Sequence, residues 1–211
     1  LSKVTPEQAL HHPIWKMGSE QLPAILEWLR RRLADRTKLN GVGVTMTAEL
    51  SDAYSTKREG VNHILDCVTQ IFADVPVLVL DVESNLRTVE DARSEPIKVA
   101  AANWAATAWL VSQVIRDCII VDIGSTTTSV IPLVDGKIGA TGKTDLEKLL
   151  NGELVYTGSL RTNVASVVDS VPIRGGIATL SSEMFAQSGD VHLILGNIGE
   201  EEYTVETPDG R

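Results

Sequence analysis

The stretch Cys118-Ile119-Ile120-Val121-Asp122-Ile123-Gly124-Ser125-Thr126-Thr127-Thr128 decides how this 211-residue chain is read. An apolar run ends in an acid, then a glycine, then a run of hydroxyls. The run predicts a buried strand over 118–123. Gly124 lets a turn bring backbone close to a ligand. Successive N–H groups at such a turn form an anion-binding concavity, to which Ser125, Thr126 and Thr127 add hydroxyl donors. Asp122 suits Mg²⁺ held through water, an ion that takes one or two carboxylates plus phosphate. The same residues allow a second reading, in which hydroxyls alternate out of an exposed hairpin strand and Asp122 caps a turn. No Walker-type lysine follows, so a phosphate loop here works without one.

Upstream, apolar residues at Leu22, Ile25, Leu26, Leu29 and Leu33 mark one helix face. Pro23 suits its first turn, and Arg30, Arg31, Arg32 and Arg36 crowd its end, where the helix dipole favours cations. Ahead of it, the segment with His11, His12, Pro13 and Trp15 has no period and reads as a strand remnant or arm. A strand is expected over 41–47 and a second amphipathic helix through Val61, Ile64, Leu65, Val68, Ile71 and Phe72. A doubly buried strand is expected over 77–82, a cap at Thr88, and one alanine-rich helix over 99–115. This alternation predicts an α/β fold with a largely parallel sheet. After Ile123 the rhythm changes: 125–134 and 137–140 flank Asp135-Gly136, a two-residue hairpin signal. A short helix follows around 145–150, then a mixed segment to Val168, a helix start near Ser181 and a short apolar run over 191–195. Two lobes are expected, 1–116 and 117–211.

Nineteen basic against twenty-eight acidic residues give a net charge of −9, and aromatics are 4%. Both argue against a nucleic-acid partner, for want of basic surface and stacking platforms. An anionic ligand then needs a locally prepared pocket. With 43% hydrophobic and 22% charged residues the composition is that of a globular protein. Cys67 and Cys118 are too few and too far apart for a disulfide framework and read as buried free thiols in a reducing compartment. No apolar stretch reaches membrane-spanning length and no signal-peptide core opens the chain, so a cytoplasmic protein without membrane contact is expected. Leu1 at the start, and Arg211 behind a Pro208-Asp209-Gly210 turn, look like cut ends. His11, His12, His63 and His192 lack metal-ligand spacing.

Further polar strings qualify as parts of a site. Thr45-Met46-Thr47-Ala48-Glu49-Leu50 puts hydroxyls and an acid at a strand end, where ligands sit in open α/β sheets. Lys57-Arg58-Glu59-Gly60 leads into a helix. Lys143-Thr144-Asp145 and Tyr156-Thr157-Gly158-Ser159-Leu160-Arg161-Thr162 supply cations and donors. Asn103-Trp104 offers either a buried ring beside a satisfied amide or a ring-stacking wall.

The 122–128 string resembles the second phosphate loop of the acetate-and-sugar-kinase/Hsp70/actin superfamily. Together with Pro13-Ile14-Trp15-Lys16, the strings at 45–50 and 57–61, Ala102-Asn103-Trp104-Ala105-Ala106-Thr107 and the string at 156–162, the chain resembles the hydantoinase/oxoprolinase-related proteins of the tetrahydromethanopterin-linked one-carbon pathway. The match runs from about Pro13 to Arg211. It implies a two-lobed ribonuclease H-like fold. Two family features have no counterpart: an opening strand with an Asp-x-Gly-Gly turn, the first phosphate loop, and a helical portion beyond Thr207.

The activity implied belongs to methanofuran biosynthesis in archaea. It is a transferase reaction joining an aminomethylfuran diphosphate to the phenol of γ-glutamyltyramine, with release of diphosphate. On that resemblance Asp122 takes Mg²⁺, and Gly124, Ser125, Thr126 and Thr127 take the phosphates, with Lys143 and Arg161 in support. Glu49 or Lys57 removes or orients the phenol proton, Trp104 flanks the furan, and Asn103 is a further substrate-binding residue. The partners are therefore small molecules, and a homo-oligomer is compatible. An ATP-dependent kinase, a ring-opening hydrolase of the hydantoinase/oxoprolinase kind and a non-catalytic nucleotide-binding regulator are the alternatives on the same fold.

Overall fold

The computed structural model describes residue 10 and residues 12–34, 39–183 and 186–203. Residues 1–9, His11, Arg36 and the 207–211 end named above lie outside them. The protein is mixed α/β with several small sheets, in two compact units: Leu1–Arg116 with Gly136–Ile138, and Asp117–Asp135 with Gly139–Arg211.

Among the described residues the first element of the first unit is one helical turn, α1 (Ile14–Met17), where a strand remnant or arm was expected; Gly18 N–H closes it by donating to the Ile14 carbonyl at 2.9 Å. Helix α2 (Leu22–Ala34) follows, with Leu22 and Leu26 against the core. Its arginines serve the fold: Arg30 pairs with Asp74 at 2.9 Å, and Arg31 with Glu27 one turn back. Then come β1 (Val42–Val44), α3 (Lys57–Ile71), β2 (Val77–Leu80), β3 (Leu86–Thr88), α4 (Val89–Ser94), α5 (Pro96–Val99) and α6 (Asn103–Ser112). Val61, Ile64, Leu65 and Val68 of α3 meet Val79 of β2, Met46 and Val99 in the core. Thr88 caps α4, its hydroxyl accepting from Asp91 N–H at 3.1 Å.

The expected largely parallel sheet is not found among the described residues. Only β1 and β2 pair in parallel; β3 returns antiparallel on β2. The reason is Asp81. Its fully buried carboxylate accepts from the N–H groups of Glu83 and Asn85, and from Arg87 Nε at 2.6 Å. The chain is thereby folded back within a turn, too short for the crossover that a parallel strand needs.

The single helix expected over 99–115 is shortened to α6, and Val99 ends a separate helical turn, α5. Ala100 is extended and Ala101 sits at φ 51°, the left-handed region. The Ala101 N–H donates instead to the Glu49 carboxylate at 2.6 Å. A long-range contact overrides the helix propensity of the alanines.

In the second unit β4 (Cys118–Ile123) pairs antiparallel with β5 (Thr128–Val134). Asp135 and Gly136, both at positive φ, turn the chain toward β6 (Lys137–Ile138), which groups with the first unit. Helix α7 (Asp145–Leu150) and β7 (Leu154–Val155), paired on β5, follow. The 170–179 segment forms an unforeseen hairpin, β8 (Ser170–Ile173) and β9 (Gly176–Thr179), turned by Arg174 and Gly175 at positive φ. The last helix is α8 (Ser188–Ile194), not one starting near Ser181, and it absorbs most of the 191–195 run.

Strand β4 corrects a further expectation, being half-buried on one face and exposed on the other. Ile119, Val121 and Ile123 are 70%, 56% and 62% exposed, while Cys118, Ile120 and Asp122 alternate inward. The buried face is completed by Ile131, Leu133 and Leu154. Of the two thiols Cys67 is buried and Cys118 is half-exposed.

Candidate functional site

Each unit draws its polar strings together, and each is described within its own unit.

In the first unit the strings at 45–50, 57–61 and 101–104 converge on Glu49. This residue sits on a short 3₁₀ turn, Ala48–Leu50, and is 1% exposed. Helix α3 starts beside it, capped by Thr56, whose hydroxyl accepts from Glu59 N–H. The approach is so close that a Cβ at Gly60 would lie 2.7 Å from Glu49 Cα, so only glycine fits at that crossing. From the other side Glu49 holds Ala101 and thus the entry to α6. Lys57 is exposed on the first turn of α3, Asn103 is exposed at the start of α6, and Trp104 is buried in a packed position. Trp104 is thus a core ring in its own unit rather than an open stacking wall, because α6 turns that face inward.

A second cluster, unforeseen, joins Tyr54 to α3. Tyr54 hydroxyl and His63 Nδ1 are 2.8 Å apart, and His63 Nε2 is 3.6 Å from Cys67 Sγ. Burial, with Asp66 adding to it, pushes the Cys67 thiol above its ordinary value. It is a buried thiol packed on α3.

In the second unit the 122–128 loop lies on the 157–162 loop. Gly124 N–H donates to the Thr127 carbonyl at 2.8 Å, closing the turn after β4. Ser159 N–H donates to the Gly124 carbonyl, and the N–H groups of Leu160 and Arg161 both donate to that of Ser125. Thr128 hydroxyl donates to the Thr157 carbonyl at 2.7 Å. Gly158 is the point of closest approach: a Cβ there would stand 2.6 Å from the backbone of Thr126. Thr162 braces this loop from behind, its hydroxyl accepting from Gly158 N–H and donating to Gly158 O. Helix α8 is docked there through the N–H of Gly189 on Leu160 O.

The predicted residues Asp122, Gly124, Ser125, Thr126, Thr127 and Arg161 are therefore neighbours. Among the described residues the N–H groups of Ser125, Thr126 and Thr127 have no hydrogen-bond acceptor. These three N–H groups, on a loop whose Gly124, Ser125 and Thr127 carbonyls are tied, offer donors suited to phosphate oxygens beside the Ser125 and Thr126 hydroxyls. Arg161 is half-buried, and burial pulls its guanidinium below its ordinary value. Lys143 stands apart at the entry to α7, its Nζ 3.5 Å from the Ala140 carbonyl and its N–H on Glu147. For a magnesium ion the donor set fits in kind. Asp122 is one half-exposed carboxylate near hydroxyls, and Mg²⁺ keeps most of its waters. No group of three or more carboxylate, imidazole or thiol ligands exists among the described residues.

Lys148 is the functional candidate that sequence reasoning missed. It is 2% exposed, and its Nζ donates to Ser129 Oγ at 3.3 Å. Ser129 is the cross-strand partner of Asp122. Burial pushes the ammonium below its ordinary value, while Asp145, Glu153 and Asp122 pull it back up. No pattern could have revealed it. The leucines of α7 predict the inward face, yet Leu146, Leu149 and Leu150 are exposed and the lysine is inside.

No helix among the described residues is long and apolar enough to cross a membrane. Comparison with known proteins gives two kinds of match. The sequence profile of the Hydantoinase/oxoprolinase family covers residues 40–211. A protein of Methanocaldococcus jannaschii named "(4-{4-[2-(gamma-L-glutamylamino)ethyl]phenoxymethyl}furan-2-yl)methanamine synthase" is 46% identical over 205 residues, 95% of this chain and 59% of that protein. A protein of the same name from Methanococcus vannielii is 50% identical over 96 residues, 46% of this chain and 43% of that protein. The chain spans about 59% of the length of the first relative.

Proposed function

The chain belongs to the hydantoinase/oxoprolinase family, and from that premise we propose that it is the transferase of methanofuran biosynthesis that forms an aryl furfuryl ether. The observation that carries the reading is the identity of 46% over almost the whole chain to a synthase whose name spells out its product. That product joins a phenol oxygen to the methylene of a furan. Making this bond requires a phenol as nucleophile and a furfuryl carbon bearing a leaving group. Diphosphate is such a group, and the donor-lined loop after β4 is suited to hold it. The O–CH₂ bond forms as the bond from CH₂ to the diphosphate oxygen breaks, and the phenol proton passes to a base.

The chain's own residues divide the work by position. The N–H groups of Ser125, Thr126 and Thr127 bind diphosphate oxygens and favour departure by stabilising the charge that develops. Arg161 adds a fixed cation. A phenol titrates near 10, so its proton must be drawn off near neutral pH. Of the two bases considered, Lys57 is exposed on the first turn of α3, whereas the Glu49 carboxylate is enclosed and holds Ala101. Asp122, with water, is the residue to hold Mg²⁺, which when bound neutralises diphosphate charge. The overall arrangement proposed is the two-lobed ribonuclease H-like fold, in a cytoplasmic enzyme acting on small molecules.

The test supplies the aminomethylfuran diphosphate and γ-glutamyltyramine with Mg²⁺, following free diphosphate and the ether by mass spectrometry. Ether and diphosphate should appear in equal amounts, and Asp122→Asn should abolish both. Undiminished turnover in that variant, or product formed only when ATP is consumed, overturns the reading.

A further inference from the structure

We infer that Lys148 is the built-in counter-charge of Asp122, the group that lets an acidic phosphate loop accept an anion; the inference rests on reading the 122–128 loop as a diphosphate site. A carboxylate at the mouth of such a loop repels the ligand that the loop is shaped for. The chain as a whole offers no relief, at a net charge of −9. A cation fixed next to that carboxylate removes the conflict. Lys148 stands where such a cation belongs. Its Nζ reaches across from α7 to Ser129, and Ser129 faces Asp122 across the β4–β5 ladder, a spacing of about 5 Å between Cβ atoms.

Three features show that this placement is built. The first is cost: an ammonium withdrawn from water is expensive unless it is paired, and an apolar residue of similar size would fill the space without that cost. The second is orientation. Helix α7 turns its one lysine inward and three leucines outward, the reverse of what hydrophobic burial alone selects. The third is anchoring. Thr144 and Glu147 form a reciprocal cap at the start of α7. Glu153 accepts from the N–H groups of Thr141 and Gly142, and its own N–H donates to Lys148 O at 2.8 Å. Gly142 lies so close that a Cβ there would stand 2.6 Å from Lys148 N. The lysine backbone is thus clamped from both sides.

The charges facing Lys148 are, in order of weight, Asp145 on its own helix, Glu153 after it and Asp122 on the sheet. Glu153 is also engaged by the 141–142 N–H groups, and of the three Asp122 is the one that borders the loop.

Calorimetric titration of inorganic diphosphate in EDTA at low ionic strength tests this, using the chain itself, Lys148→Met, Asp122→Asn and the double variant. The wild-type chain should bind. Lys148→Met should weaken binding about tenfold, the effect of one unit charge within roughly 12 Å at an effective dielectric of 20. The double variant should recover wild-type affinity, because the repelling carboxylate is gone with its partner. A purely structural lysine predicts no recovery, and that result overturns the inference, as does unchanged binding in Lys148→Met. Should Lys148→Met fail to fold, Lys148→Gln, which keeps a donor for Ser129 but no charge, takes its place in the same comparison. Binding by the wild-type chain that appears only when Mg²⁺ replaces EDTA overturns the inference, since the metal and not the lysine then supplies the counter-charge, and absence of binding with and without Mg²⁺ overturns the phosphate reading itself.

Discussion

Replacing Gly158 by alanine probes the contact on which the second-unit site depends. The added methyl would stand 2.6 Å from the Thr126 carbonyl carbon and nitrogen and 2.7 Å from the Gly124 carbonyl oxygen. Ordinary contact begins at 3.4 Å, so the loops must part by about 0.8 Å (3.4 minus 2.6). The obstructing atoms are backbone, already tied by the bonds of Ser159, Leu160 and Arg161 to the Gly124 and Ser125 carbonyls, and cannot swing aside. Overpacking of this kind costs about 1–3 kcal/mol. At 2–4 °C per kcal/mol for a chain of this size, Tm falls by about 2–12 °C. The functional loss should be larger, since displacing a binding constellation by about 1 Å costs on the order of 100-fold. Thermal unfolding by circular dichroism and diphosphate titration with Mg²⁺ read the two effects separately. Gly43→Ala, where nothing lies within 4 Å of the new methyl, is the control and should leave both unchanged. A Gly158→Ala chain with wild-type Tm and wild-type affinity would refute the close seating of the two loops.

Three more outcomes follow from single contacts. Glu49→Ala strands the half-buried Ala101 N–H and should cost about 1 kcal/mol, measured by urea unfolding; a change below about 0.3 kcal/mol speaks against the anchoring role. Thr144→Ala removes half of the reciprocal cap of α7 and should cost about 1 kcal/mol, with no loss if Glu147 alone holds the helix start. Burial alone would raise Asp81, but the N–H of Asn85, the Arg87 guanidinium and the N–H of Glu83 outweigh it and hold the carboxyl below its ordinary value. Its stabilisation is therefore fully present above about pH 3.9 and is lost as pH falls through the lower folded value. Asp81→Asn should flatten the fall of Tm in that acid range, and a slope equal to wild type would contradict the assignment.

What the sequence disclosed is what short-range chemistry decides. The Asp135-Gly136 turn, the Thr88 cap and the helix through Val61, Ile64, Leu65 and Val68 follow from residues within a few positions of one another, and the structure holds them in place. The turn at Gly124 was legible for the same reason. Long-range contacts were not. The helix expected over 99–115 breaks at Ala101 because of a carboxylate 52 residues away. The returning strand β3 depends on a buried Asp81 that no period announces. Strand β4 looks buried by composition, but Asp122 stands on its inner face and its isoleucines at 119 and 123 stand outside.

These failures have a common cause. At Ala101 and at Lys148 a buried charge, not hydrophobic pattern, sets the geometry: Glu49 bends a helix that alanine would continue, and α7 turns its leucines away to bring an ammonium in. A chain that stabilised only its core would not retain either arrangement, because a neutral side chain fills the same space at lower cost. Departures from local rules are expected where a site constrains the sequence more tightly than stability does. Both departures occur in or beside the strings singled out for chemistry, Glu49 within 45–50 and Lys148 behind Asp122. These two irregularities thus lie in or beside the polar strings, whereas the buried Asp81 that returns β3 lies outside them.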